Sequence, residues 1–129
     1  MNSDITNLYE YSIIRYLPRI ERGEFVNVGL IMMCKRRRWI RVAIHIPLQR
    51  VALMNPPHDP DTLIHQLSQF ERVAAGLKDA GEMASLPVEE RYRWLTAVRS
   101  ASIRTSPSHP GLCADLDCTF DTLFRELVE

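Results

Sequence analysis

Three polar residues stand in otherwise apolar segments near the start of the chain: Arg15, Glu24 and Asn27. A charged group that is buried without a partner is costly, so each of them needs one. If the two segments pair through the turn at Gly23, Arg15 and Glu24 lie at the same end of a hairpin. A charge-assisted bond between them would fix the strand register. The chemical alternative is a small polar site in which Arg15 binds an anion and Asn27 orients it.

The strongest electrostatic feature is a run of four cations: Lys35, Arg36, Arg37 and Arg38. Adjacent like charges repel one another unless water or an anion surrounds them. One interpretation is a solvated turn between two strands. A second is contact with nucleic-acid phosphates, with Trp39 available for stacking and Arg41 close by. A third is contact with an acidic protein surface.

Other site chemistry has weaker support in the sequence. Arg104 stands among Ser102, Thr105 and Ser106, and this segment could supply donors to an anion. Cys113 and Cys118 form one loose pair of thiols, whereas zinc sites usually show two close ligand pairs. The chain has no nucleophile elbow, Gly-rich phosphate loop or cysteine–histidine signature. We therefore predict no metal and no cofactor, and we assign no catalytic residue.

The elements that would position these residues begin with three strands. Residues 9–46 read as β-rich runs joined by short polar turns, which predicts an antiparallel meander. Both faces of the first strand carry apolar groups, so we expect it to be covered on both sides. Pro18 should end that strand. Gly29, inside the second strand, predicts a bulge or the close approach of another backbone.

Helical spacing of apolar residues dominates the rest of the chain. It predicts helices over residues 59–81, 87–99 and 115–128, with a further strand over 101–105. Asp59 as N-cap and Pro60 at the first helical position mark the start of the first helix. We therefore predict one domain over residues 1–129, of the α+β class. Its three- to four-stranded antiparallel sheet would carry helices packed mainly on one face.

Composition favours a soluble cytoplasmic protein. The 129 residues are 46% hydrophobic and 25% charged, which is ordinary for a globular chain. The chain has no apolar run of about 18 residues, so we expect neither a membrane span nor secretion. Three cysteines, an odd number, favour reduced thiols. Residues 1–58 carry nine Lys/Arg and four Asp/Glu, a balance of +5, and residues 59–129 carry seven and twelve, a balance of −5. This asymmetry favours attraction between the two halves, or a basic sheet edge that meets an acidic partner or phosphates.

Two parts of the chain resemble a known family. Tyr-Ser-Ile-Ile-Arg-Tyr-Leu-Pro at 11–18 and Arg-Gly-Glu-Phe-Val-Asn-Val-Gly at 22–29 resemble the N-terminal signature of domain-of-unknown-function family 3037, which contains small bacterial proteins. Ile-Arg-Thr-Ser at 103–106 and Thr-Leu-Phe-Arg-Glu-Leu-Val at 122–128 are similar to its C-terminal part. The resemblance implies no assigned reaction. It does imply genes placed beside those of HipA-like kinases, the toxin-type serine/threonine kinases.

Three functions remain open at this point. The first is a non-catalytic interaction or accessory module, for a kinase-type partner in a bacterial toxin or defence locus. The second is nucleic-acid binding through residues 35–41. The third is an enzyme acting on a small anionic substrate around Arg15, Glu24 and Asn27. The absence of a catalytic motif favours the first.

Overall fold

An open antiparallel sheet with helices on both faces forms the fold. The computed structural model describes residues 6–97 and 102–129. Within those ranges the strands are β1 (Asn7–Tyr16), β2 (Val26–Cys34), β3 (Trp39–Ile44), β4 (Ile103–Thr105) and β5 (His109–Cys113). The helices are α1 (Leu48–Leu53), α2 (Pro60–Ala74), α3 (Val88–Leu95) and α4 (Leu116–Leu127). The predicted α+β class with an antiparallel sheet is confirmed.

The strand β1 lies at the centre of the sheet. The order is β3-β2-β1-β4, and β5 also pairs with β1. The N-terminal meander is therefore present as predicted. The strand β5 was not predicted, because its Ser- and Pro-rich approach indicates the end of a strand. Pro110 is tolerated there because an edge strand leaves one row of N–H groups without a ladder partner.

A serine joins the two short edge strands to β1. The backbone N–H of Ser106, between β4 and β5, donates to the Ile13 carbonyl at 2.9 Å. The Ser106 side-chain oxygen accepts from the Ile13 N–H at 2.8 Å. The hydroxyl thus replaces a backbone acceptor where the chain leaves the ladder. As a result β4 and β5 follow the same side of β1, one beyond the other.

Two apolar cores lie on the two faces of the sheet. On the first face, Ile14 and Val28 pack with Leu67 of α2 and with residues of α3. On the second face, Leu30 packs against Phe120 of α4. Three helices thus lie on the first face and α4 on the second. This arrangement agrees with the apolar groups that β1 carries on both of its faces.

A β-bulge accounts for Gly29. The β1–β2 register shifts just after the pair of Ile14 and Gly29, and this leaves Val28 as an extra residue in β2. A Cβ on Gly29 would lie 2.8 Å from Ile44 Cδ1 and 2.9 Å from the Ala43 carbonyl oxygen. The position therefore shows both features that the sequence predicted, a bulge and a close backbone.

The helices begin where expected and differ in length. Asp59 caps α2 by accepting from the Thr62 N–H at 3.0 Å. The helix α2 ends at Ala74, before residue 81, because Gly76 adopts a φ of +73° and turns the chain. The helix α1 lies in residues 47–58, for which the sequence predicts neither a helix nor a strand. The predictions of a helix over 87–99 and a strand over 101–105 include residues 98–101, which lie outside the described residues.

None of the helices in the described ranges combines the length and the apolar character needed to cross a membrane.

Candidate functional site

Three of the predicted site residues form one row across the sheet. Arg15 of β1 lies opposite Asn27 of β2 on one side and opposite Arg104 of β4 on the other. Directly opposite residues in an antiparallel pair project from the same face, with Cβ atoms about 4.5–5.5 Å apart. The Asn27 side-chain Nδ2 donates to the Leu127 carbonyl of α4 at 2.9 Å, so the row lies on the α4 face. We call Arg104, Arg15 and Asn27 the arginine row.

Glu24 is not part of the arginine row. The β1–β2 connection forms a 3-10 turn over Ile20–Arg22, which Gly23 closes with a φ of +70°. This turn brings Arg22 Nε to 2.7 Å from Glu24 Oε1. Glu24 therefore pairs with Arg22, and the predicted bond to Arg15 is wrong. The hydrogen bond and charge of Arg22 lower the pKa of Glu24, and both side chains are exposed, so the pair contributes little stability.

Arg15 is held by an aromatic ring. Its guanidinium carbon lies 4.4 Å from the centroid of Phe25, just before β2. The Nε atom of Arg15 is buried and has no hydrogen-bond partner in the described part of the chain. Stacking on a ring leaves the N–H edge of a guanidinium free to bind an anion. The stacking partner was missed from the sequence, where Phe25 reads only as an apolar strand residue.

Asn27 joins the sheet to the end of α4. Its amide orientation is determined by chemistry, because the Leu127 carbonyl can only accept and must therefore face Nδ2. The Oδ1 atom points elsewhere and is buried without a partner among the described residues. Asn27 thus fixes where the last turn of α4 lies relative to the arginine row.

The basic turn (residues 35–38) connects β2 to β3. All four of its side chains are exposed, as predicted for a turn whose cations cannot be buried together. The Arg38 N–H donates to the Lys35 carbonyl at 3.1 Å and closes the turn. Arg38 has a φ of +52°, in the left-handed region that few non-glycine residues adopt.

Trp39 and Arg41 are directed away from the basic turn and towards α4. The Trp39 ring meets Phe120 edge-on, with 6.3 Å between centroids. Arg41 lies over Phe120 at 4.4 Å and pairs with Asp117 at 3.2 Å and Asp121 at 3.1 Å. Trp39 remains half-buried and not fully covered, so its availability for stacking on a base stays a prediction. Arg41 shares its charge with two exposed carboxylates.

Two leucines form an exposed pair beside the basic turn. Leu8 of β1 and Leu112 of β5 are directly opposite, and they are 63% and 65% exposed. They project from the α3 face, as does Ser12, whose hydroxyl meets Tyr92 of α3. The β1–β2 ladder ends at the pair of Glu10 and Met33, so the leucine pair and the basic turn lie at the same end of β1 and β2. We call Leu8 and Leu112 the leucine pair; the sequence missed it because β5 was not predicted.

A groove runs from the basic turn to the start of α3. It has a volume of about 590 Å³, and its lining includes Lys35, Arg38, Leu86, Pro87 and Glu89. The groove therefore combines cationic and apolar walls. It lies on the α3 side of the sheet, the side from which the leucine pair also projects.

A chain of hydroxyls ties β1 to α3. Ser12 Oγ lies 2.9 Å from Tyr92 Oη, which lies 2.7 Å from Ser108 Oγ, and Ser108 donates to Glu10 at 2.9 Å. Since Ser108 gives its one proton to Glu10, Tyr92 must donate to Ser108, and Ser12 to Tyr92. Burial raises the pKa of Tyr92. This chain was not predicted, because it joins residues distant in sequence.

The cysteines are free thiols: Cys34 is buried, Cys113 half-buried and Cys118 exposed. In the part of the chain that the structure describes, no three His, Cys, Asp or Glu side chains lie close enough together to hold a metal ion.

The fold and the site define a small α+β protein with an open antiparallel sheet and an arginine row on one face. The leucine pair projects from the other face, and the basic turn joins β2 to β3. The chain belongs to the family described as "Protein of unknown function (DUF3037)", whose family model matches residues 11–128, nearly the whole chain. No curated protein and no solved structure matches the chain.

Proposed function

We propose that this protein is a non-catalytic interaction module. Its binding surface consists of the leucine pair, the basic turn, and the groove between the basic turn and the start of α3. The observation that carries the proposal is the leucine pair itself, two directly opposite side chains that are 63% and 65% exposed at the same end of the sheet as four exposed cations. Exposed apolar side chains that cluster, unlike scattered ones, are typical of binding sites.

The chemistry of this surface selects the kind of partner. Apolar contact with Leu8 and Leu112 favours a segment that carries apolar side chains. The basic turn favours carboxylates around them, because complementary charge speeds association and rejects partners of like charge. The occupant we propose is therefore an acidic amphipathic segment of another protein.

Nucleic acid fits this surface less well. Sequence-tolerant binding of single strands uses aromatic rings on which bases stack. Trp39 is engaged with Phe120, and Arg41 is engaged with Asp117 and Asp121. The basic turn therefore offers cations beside a ring that is half-buried against α4.

An enzyme acting around Arg15, Glu24 and Asn27 also has less support. Glu24 pairs with Arg22 in the exposed turn, so the carboxylate that such a site would use as a base is engaged elsewhere. Arg15 and Asn27 remain adjacent, and they fit a binding role better than a catalytic one.

The partner and setting are proposals that rest on the family. We propose a bacterial, cytoplasmic protein whose partner is of the kinase type, HipA-like, in a toxin or defence locus. The free thiols agree with a reducing compartment.

Binding to random duplex and single strands at two salt concentrations tests the proposal against its main alternative. The comparison uses the wild-type protein and a basic-turn variant, Arg36→Ser, Arg37→Ser and Arg38→Asn, in which Asn suits the left-handed position. We expect negligible binding by both. Wild-type affinity tighter than about micromolar at physiological salt, lost in the variant, would instead assign the turn to nucleic acid, since non-specific binding is usually weaker.

A further inference from the structure

Two arginines lie directly opposite each other in the sheet, with side chains that project from the α4 face. Arg15 and Arg104 are directly opposite in the β1–β4 ladder, so their side chains leave the sheet together. Arg15 is half-buried and Arg104 exposed. Like charges in this position destabilise a sheet unless something neutralises them.

No carboxylate neutralises this pair within residues 6–97 and 102–129. The ion pairs found there join other residues. Glu24 precedes Phe25, the ring that stacks on Arg15, but Glu24 binds Arg22. The Nε donor of Arg15 is unused as well. A buried donor without an acceptor in a native protein calls for an explanation.

Phe25 prepares Arg15 for a ligand. The ring covers one face of the guanidinium at 4.4 Å from its centroid. Of the guanidinium nitrogens, Nε alone is buried without a partner, which leaves the terminal nitrogens to make contacts at the surface. A stacked guanidinium loses less freedom on binding, because its plane is already oriented.

We propose that Arg15 and Arg104 form a binding site for a dianionic phosphate group. Two adjacent cations match a charge of −2, which a phosphate group approaches and a single carboxylate does not. Arginine edges fit phosphate oxygens in a bidentate manner. Asn27, the third member of the arginine row, is a positioning residue that holds α4 beside the site through Leu127. The site lies on the sheet face opposite the leucine pair. A negative result for phosphate binding would therefore leave the proposed function untouched, and the reverse also holds.

Calorimetric titration of the full chain with inorganic phosphate tests this site. Ionic strength is held constant with sodium chloride, and glycerol phosphate and acetate are titrated in parallel. We expect saturable phosphate binding, weakened at least about tenfold in Arg15→Gln and in Arg104→Gln, the loss typical of a hydrogen bond to a charged group. Arg93→Gln is the matched control, because it removes one exposed cation from α3, on the other face of the sheet, and should leave the affinity unchanged.

Comparing inorganic phosphate with glycerol phosphate shows whether the site recognises a free phosphate or a phosphate ester. Equal affinities would show that the phosphate group alone is recognised, and tighter binding of the ester would show that its carrier also contributes. Arg104→Gln keeps the test informative if Arg15→Gln fails to fold, because Arg104 is exposed. The proposal is overturned if no saturable binding occurs, if acetate binds as tightly as phosphate, or if Arg93→Gln loses as much affinity as Arg104→Gln.

Discussion

Gly29 lies directly opposite Ile44 in the β2–β3 ladder, and a Cβ on Gly29 would come within 2.8 Å of Ile44 Cδ1. On the other side, the same Cβ would lie 3.2 Å from Ile14 Cδ1. The glycine therefore leaves room for the ends of both isoleucine side chains at the bulge. The run Gly-Glu-Phe-Val-Asn-Val-Gly ends in glycine for a packing reason.

Replacing Gly29 by Ala should destabilise the fold by about 1–3 kcal/mol, the usual cost of overpacking a core. Urea denaturation measures the change. Ile44→Val removes Cδ1, so the double variant should lose less stability than the sum of the two single changes. Strict additivity would show that the glycine is not required by this contact.

The hydroxyl chain makes Tyr92→Phe a second sensitive change. Ser12 is fully buried, and Tyr92 is its hydrogen-bond partner. Removing the phenolic oxygen should cost about 1–3 kcal/mol, since a buried hydroxyl loses its acceptor. Adding Ser12→Ala should recover part of this loss in urea denaturation. If Tyr92→Phe unfolds at the same urea concentration as the wild type, the hydroxyl chain does not stabilise the fold as described.

The same tyrosine predicts a loss of stability at high pH. Its pKa is ordinarily 10.0, and burial raises the pKa in the folded protein. Above about pH 10 the unfolded chain therefore releases the proton first, and stability falls as pH rises through the folded pKa. The free energy of unfolding of the wild type should fall more steeply above pH 10 than that of Tyr92→Phe. Parallel curves would contradict the assignment.

Arg38 offers a change that should stabilise the protein. Its φ of +52° is unfavourable for a long side chain, whereas Asn and Gly adopt this region more readily. Arg38→Gly should raise the free energy of unfolding by up to about 1 kcal/mol. Arg37→Gly, at a position without a positive φ, is the control and should not. A loss of stability in Arg38→Gly would show that its side chain makes a contact that stabilises the turn.

Local signals predicted the parts of the fold that depend on neighbours in sequence. Pro18, the bulge at Gly29 and the cap at Asp59 each act within a few residues, and each lies where it was expected. Glu24 shows the limit of such reasoning, because the left-handed Gly23 bends the turn so that Arg22, not Arg15, reaches it. Turn geometry decided this pairing, and residue type alone did not determine it.

Long-range strand pairing explains what could not be predicted of the site. The arginine row forms because β4 pairs with β1. The leucine pair forms because β5, which contains Pro110 near its start, also pairs with β1. Residue types along one segment carry little information about which distant segment will lie beside it. Arg15 and Asn27 were predicted together, whereas Arg104 was identified separately, and its alignment with them emerged only from the sheet.

Photo-crosslinking in host cells tests the interaction surface most directly. A photoreactive amino acid is placed at position 8, at position 112, or at the control position 64, where Ile64 is 48% exposed on α2. We predict that positions 8 and 112 capture the same protein, that position 64 does not, and that the basic-turn variant reduces the capture. Equal capture from position 64, different proteins from positions 8 and 112, or capture unaffected by the basic-turn variant would contradict the account.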